Sequence, residues 1–252
     1  MPGTDRTTAP NRQLMVNFRM ATVLLPAGTA SGSEDLWSYV DEEAIGADTA
    51  AALGRNGMRV GVGRTSNWPD VADVLGRMTG RQIALTHIPV LPGSTIPIKL
   101  KRRQPAQTIF LSLNDLSLTG EDYPPGTNLL AVNCRIDENN RDALLVTGVP
   151  QITTTRLRPK LVNEAGVRGF VPQPDWFVFG PLQFRLRMSS DEFMVIGPGR
   201  RASIPTSVGH HFLLRRQEGI DFETVLVLMP QITETDVAHT DRAGRPINTG
   251  GR

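Results

Sequence analysis

Apolar residues recur at helical spacing in parts of the first eighty positions and in short alternating runs thereafter. Residues 16–25, VNFRMATVLL, predict a strand. Ser33 then precedes Glu34, Asp35 and the apolar Leu36, Trp37 and Val40, which predicts a helix start. A serine oxygen accepts from the free amides there, and carboxylates meet the positive end of the helix dipole. Trp37, Val40 and Ala44 would share one face. Asp48 is placed to cap a second short helix over 49–55, which Asn56-Gly57 ends in the left-handed region. Met58, Val60 and Val62 alternate with Arg59, Gly61 and Gly63, the period of a half-buried strand. Residues 69–78 predict a helix with Pro69 in its first turn and Val71, Val74, Leu75 and Met78 on one side. Strand, helix pair, strand and helix make a small α/β module over 15–80. Trp37 and Val40 are expected to pack on the strand at its centre.

At Gly80 the pattern turns to short apolar runs separated by turn residues, which predicts a β-rich domain over 81–235. Its strands are expected at 83–90, 96–100, 108–113, 128–136, 142–149, 176–188, 193–196, 211–216 and 223–229. Pro124-Pro125, the Asx-rich stretch 137–140 and Glu218-Gly219 supply turns between them. Residues 157–174 read as a loop over an open end of the sheet, and Trp176, Phe177, Phe179 and Phe184 read as core rather than as a ligand shelf. Residues 144–155 and 224–235 share an apolar run followed by Pro-Gln-Ile-Thr-x-Thr. If Pro150 and Pro230 end equivalent strands, both lie at sheet margins, with Leu145 and Val225 inside one β core. The fold class is therefore α+β: a small α/β N-terminal module followed by a β-sandwich-like antiparallel domain, flanked by polar tails at 1–14 and 236–252.

Composition narrows the function classes. Among 252 residues, 39% hydrophobic and 21% charged is ordinary usage, and no apolar run approaches the ~20 residues of a membrane helix. No integral membrane segment is expected. A net charge of +2 is too small to make nucleic acid the expected partner, and Lys101-Arg102-Arg103, without interleaved aromatics, reads as a solvated loop. Cys134 stands alone, so no intrachain disulfide can form and a buried role is expected. The first residues lack the apolar core of a secretory signal, which makes the chain as given cytoplasmic, or a cell-envelope protein if its true start differs.

Candidate chemistry is sparse. Gly61, Gly63, Arg64 and Thr65 lie between a strand and a helix, where a glycine loop can present amides to a phosphate. Ser66 stands where a dinucleotide fingerprint needs a third glycine or alanine, so packing is the preferred role of the glycines. Arg200 and Arg201 follow Gly197-Pro198-Gly199 and are candidates for an anion, although a hairpin turn is the simpler expectation. His210 and His211, adjacent in an expected strand, would point to opposite faces and could not readily share a metal. Asp41, Glu42 and Glu43 read as the solvated end of a helix. No metal site, cofactor or catalytic residue is expected.

The stretches LWSYVDEE and LGRNGMRVGVG resemble the signature LW-x-x-x-DE … L-x-x-NG-x-R-x-G of an uncharacterised family of planctomycete bacteria. Asp41, Glu42, Asn56, Gly57, Arg59 and Gly61 match it, while Gln151 departs from the Pro-Glu-Ile of its middle segment. The resemblance implies no activity. The C-terminal half is also similar to the β-domain of secretins, outer-membrane secretion channels, through FMVIGP and ETVLVLMPQI. Long pore-forming hairpins are not apparent in the sequence, so the chain is not expected to form a channel. The expectation is a non-enzymatic structural or protein-interaction protein with a protein partner or self-association, with a bacterial cell-envelope assembly as its setting. The alternative is an anion- or nucleotide-binding protein or enzyme using the loop from Gly61 to Thr65.

Overall fold

The computed structural model describes residues 12–114, 117–164 and 167–236, so the expected tails lie almost wholly outside the described residues. In chain order these form β1 (Arg12–Pro26), α1 (Glu34–Ser38), α2 (Ala47–Arg55), β2 (Met58–Arg64), α3 (Trp68–Thr79), β3 (Thr86–Val90), β4 (Thr95–Gln104), β5 (Gln107–Ser112) and β6 (Leu118–Tyr123). The chain continues through β7 (Gly126–Asp137), β8 (Asn140–Glu164), β9 (Val167–Val178), β10 (Phe184–Ser189), β11 (Glu192–Pro198), α4 (Val208–Leu213), β12 (Leu214–Gln217) and β13 (Ile220–Asp236). Antiparallel sheet predominates.

The first sheet runs β2-β11-β13-β1-β3, with β12 also paired to β13. β1 and β13 pair from Arg12 opposite Asp236 to Pro26 opposite Phe222. Strands from both sides of Gly80 thus share one sheet, and the change of pattern there marks no break between sheets. The central strands demand this arrangement. Phe193 and Val195 alternate with Met194 and Ile196, and Val225, Val227 and Met229 with Leu226 and Leu228, yet all are buried. Strands apolar on both sides need a layer on each face. On one face Leu36 and Trp37 of α1 and Val71, Val74 and Leu75 of α3 join Val23, Phe193, Val195 and Val227 in a single cluster. On the other, Phe18, Val60, Ile196 and Leu228 share a cluster with Leu130, Val132, Val146 and Phe184 of the second sheet.

That second sheet runs β10-β8-β7-β4, with β9 paired to a further length of β8. β5 and β6 form a separate pair. Asn56 ties β5 to the end of α2: its amide donates to Ser112 O (2.8 Å) and its oxygen accepts from Ser112 N (2.8 Å).

Local signals that rest on one residue hold. Ser33 caps α1 by accepting from Leu36 N at 3.0 Å, Gly57 turns left-handed after α2 at φ 77, and Pro69 lies in the first turn of α3. Glu218 and Gly219 both take positive φ (53 and 82), the geometry of a two-residue hairpin. Other expectations fail for local reasons. α1 stops at Ser38, which leaves Ala44 exposed and buries Ile45 in its place. Gly46, not Asp48, precedes α2. The expected strand 211–216 begins as helix α4, because Ser207 caps it by accepting from His210 N at 3.1 Å. The expected strand 176–188 is broken by a 3-10 turn at Gly180–Leu182.

Pro150 and Pro230 lie within strands, not at their ends, and in different sheets, opposite Leu130 and Phe18. Leu145 is 45% exposed while Val225 is buried. The duplication argument is therefore removed. Its physical premise survives in another form. β10 pairs with β8 only as far as Gly148 and β9 joins at Gln151, so Pro150 falls in the gap between them. β11 likewise stops pairing with β13 at Leu228. Each proline sits where a neighbouring strand is missing, and the absent donor there costs no rung.

Candidate functional site

Gly61 and Gly63 are not a loop. They are buried rungs of β2 opposite Val195 and Phe193 of β11. A Cβ on Gly61 would come within 2.6 Å of Val40 Cγ2, and one on Gly63 within 2.5 Å of the Phe193 ring. Thr65 donates its amide and its hydroxyl to Asp191 O, at 2.7 and 3.0 Å. Arg64 ends β2, exposed. These four residues form no amide cradle, and the glycines serve close packing. Arg200 and Arg201 lie not in a hairpin but in a 3-10 turn, Arg200–Ser203, which leads from β11 toward α4. Both are exposed, and Arg200 reaches Glu34 at 3.4 Å. The anion candidates are thus not brought together.

The histidine pair is helical. His210 Nδ1 lies 3.1 Å from Ala202 O and His211 Nδ1 3.1 Å from Gln107 Oε1. Gln107 and Asn128 exchange amide hydrogen bonds at 2.7 and 3.0 Å, and Asn128 also donates to His211 O at 2.8 Å. Burial holds His210 below its ordinary value and pushes His211 down to about 4, with Lys101 and His210 adding repulsion at His211. Among the described residues no three His, Cys, Asp or Glu side chains gather as metal ligands. Cys134 is buried, and burial pushes its thiol up to about 11.

The most distinctive surface is the segment expected to be a loop. β8 outruns β7, whose last rung is Gly126 opposite Thr154, and pairs on with β9 from Leu157 opposite Pro174 to Glu164 opposite Val167. The result is a two-stranded ribbon projecting roughly 25 Å beyond the sheet at ~3.3 Å per residue. Directly opposed residues share a face, so Leu157, Pro159 and Leu161 line up with Pro174, Pro172 and Phe170. The other face carries Arg158, paired with Asp175 at 2.6 Å, and Gln173, alongside the apolar Val171. Leu157 and Leu161 are each 57% exposed and Phe170 72%. Trp176 and Val178, on the same side of β9, extend the apolar face to the sheet, so Trp176 is not core, whereas Phe179 and Phe184 are buried. The signal was present in the sequence: R-L-R-P-K-L over 156–161 alternates with period two, masked by prolines that read as loop.

Among the described residues no helix is long and apolar enough to cross a membrane, which says nothing about crossing by strands. No known protein family matches the chain. No curated protein matches it either, so the planctomycete resemblance has no support from these comparisons. Among solved structures, a chain of the Klebsiella pneumoniae type II secretion system outer membrane complex (PulD, PulS and PulC HR domain) is similar at 14% identity and a TM-score of 0.20. That match covers 92% of this chain and 40% of the other, so this chain spans less than half the length of its neighbour. At that score the likeness bears on neither fold nor function.

Proposed function

We propose that the chain is a non-enzymatic protein-interaction protein whose working surface is the apolar face of the β8–β9 ribbon. The observation that carries this reading is the placement of Leu157, Leu161 and Phe170 on one exposed face with no layer of the described residues over them. A two-stranded ribbon is marginal in water by itself, and a contiguous apolar face of this kind marks a surface to be covered. Pro159, Pro172 and Pro174 lack amide donors, which makes the edges poor templates for further strands. The face is the surface to be buried, and a second copy of the ribbon laid face to face matches it by its own symmetry. Association within a cell-envelope assembly is the setting suggested by the sequence resemblance to secretins.

The test is the molar mass by light scattering across a concentration series, for the wild type and for Leu161→Ser/Phe170→Ser. The wild type should self-associate and the double variant should remain monomeric, with an unfolding midpoint close to that of the wild type at concentrations where the wild type is also monomeric, because both side chains are solvated in the single chain. A wild type monomeric at all concentrations would overturn self-association, and an oligomer unaffected by the substitutions would place the interface elsewhere.

A further inference from the structure

A groove of about 1000 Å³ lies beside β4 and β12. Five cationic side chains line it, Lys99, Lys101, Arg102, Arg215 and Arg216, against one carboxylate, Asp221. The sequence places Lys101 and Arg102 in an expected loop, but both lie in β4, where register shifts between Lys99 and Lys101 and between Lys101 and Gln104 disturb strand alternation. Such bulges re-aim side chains. Arg103 carries the strain of the second shift, with φ 53.

The two innermost cations are the informative ones. Lys101 donates to His210 O at 2.9 Å and Arg215 donates from Nη2 to Leu100 O at 2.8 Å. Arg215 Nε is buried and has no partner. Among the described residues no carboxylate reaches ion-pair distance of either side chain, since Asp221 lies against Arg216 at 3.9 Å. Burial lowers the Lys101 ammonium to about 8, with Arg215 repelling it. Partly desolvating two neighbouring cations and answering them only with carbonyl oxygens is costly, and an anion in the groove offsets that cost. A monoanion would leave most of the charge unanswered. Guanidinium forks beside an ammonium suit the oxygens of phosphoryl groups.

We propose that this groove is a binding site for a phosphoryl-bearing polyanion, either a soluble phosphate ester or the headgroup of an anionic lipid. It is independent of the ribbon, and neither Arg200 nor Arg201 belongs to it.

The test is calorimetric titration of the full chain with inorganic pyrophosphate at low ionic strength and pH 7, together with cosedimentation with vesicles containing cardiolipin, whose headgroup carries two phosphodiesters. Lys101→Met removes an inner charge, and Arg102→Gln/Arg216→Gln removes two exposed rim charges without touching the core. Pyrophosphate should bind, and each variant should weaken it by at least ~10-fold, the usual loss for a charge-assisted hydrogen bond. Binding should also raise the Lys101 pKa followed by NMR, since an adjacent anion favours the ammonium. Pyrophosphate binding without vesicle binding supports the site with a soluble ester as its ligand. Vesicle binding that the rim variant abolishes supports it with a lipid headgroup. Absence of both, or binding that the rim variant leaves unchanged, overturns the proposal.

Discussion

Arg59 holds its guanidinium carbon 4.2 Å from the centre of the Trp37 ring while its Nε donates to Glu42 Oε2 at 2.9 Å. Three residues from helix, loop and strand are thereby stacked on one site. The Trp37 indole donates to Ala30 O at 2.9 Å and covers Gly197, which pairs with Arg59 across β2 and β11. Trp37 is thus held to the sheet through its ring and to the turn after β1 through its indole N–H. Val40 packs over Gly61 of the same strand.

Trp37→Ala should destabilise the chain by about 3–5 kcal/mol, the cost of emptying a buried large-aromatic site. Urea denaturation checks this, and a change under about 1 kcal/mol would show that the ring contributes little. Arg59→Met, which keeps the stem but removes the charge from ring and carboxylate, should cost about 1–2 kcal/mol.

Glu223 is a second organising residue. Its carboxylate is buried and accepts from Gly28 N, Ala30 N and Ser31 N at 2.8, 2.7 and 3.0 Å, and from the Ser31 hydroxyl at 2.5 Å. One side chain of β13 thus fixes the turn that leads from β1 to α1. Glu223→Ala should cost roughly 3–5 kcal/mol, because several buried donors lose a charged acceptor together. Hydrogen exchange should show the amides of Gly28, Ala30 and Ser31 losing protection while those of Leu226 and Leu228 keep theirs. Uniform loss would mean that the carboxylate supports the sheet rather than the turn.

Those caps and turns that one or two residues decide were legible, as at Ser33, Gly57 and Glu218-Gly219, whereas the cap expected at Asp48 and the hairpin at Arg200-Arg201 were not found. Pairing was not legible. Nothing local tells β2 that its neighbour is β11, more than a hundred residues later, and the alternation of Met58, Val60 and Val62 with Arg59, Gly61 and Gly63 reads as half-buried although Gly61 and Gly63 lie under Val40 and Phe193. A glycine looks polar in a pattern and packs as the smallest core residue. The ribbon was missed through its prolines, and the groove because Lys101 and Arg215 meet only in three dimensions.

His211 gives stability a pH dependence whose sign is fixed. Its folded-state value is pushed down to about 4 from an ordinary 6.5, chiefly by burial. The unfolded chain therefore binds the proton more readily between those values, so the contribution is complete above pH 6.5 and is lost as pH falls toward 4. His210, shifted the same way, adds to it. Urea midpoints should decline from pH 6.5 to 5, before most carboxylates titrate, and less steeply in His211→Gln. An equal slope in that variant would assign the decline to other groups.

The packing role of Gly61 can be separated from any ligand-holding role by one double-mutant cycle. In Gly61→Ala the new methyl would lie 2.6 Å from Val40 Cγ2, so the strand or the α1–α2 connection must shift, at about 1–3 kcal/mol for an overpacked core site. Val40→Ala removes the obstructing methyls and should by itself cost less than about 2 kcal/mol, because Val40 is only half-buried. If the glycine exists to admit Val40, the double variant should be more stable than the sum of the two losses predicts, by at least ~0.5 kcal/mol, since each substitution relieves the other. Denaturant titration of all four proteins supplies the coupling energy. Strict additivity would mean that β2 absorbs the methyl elsewhere, and the close approach of Val40 would then not be what the glycine is for.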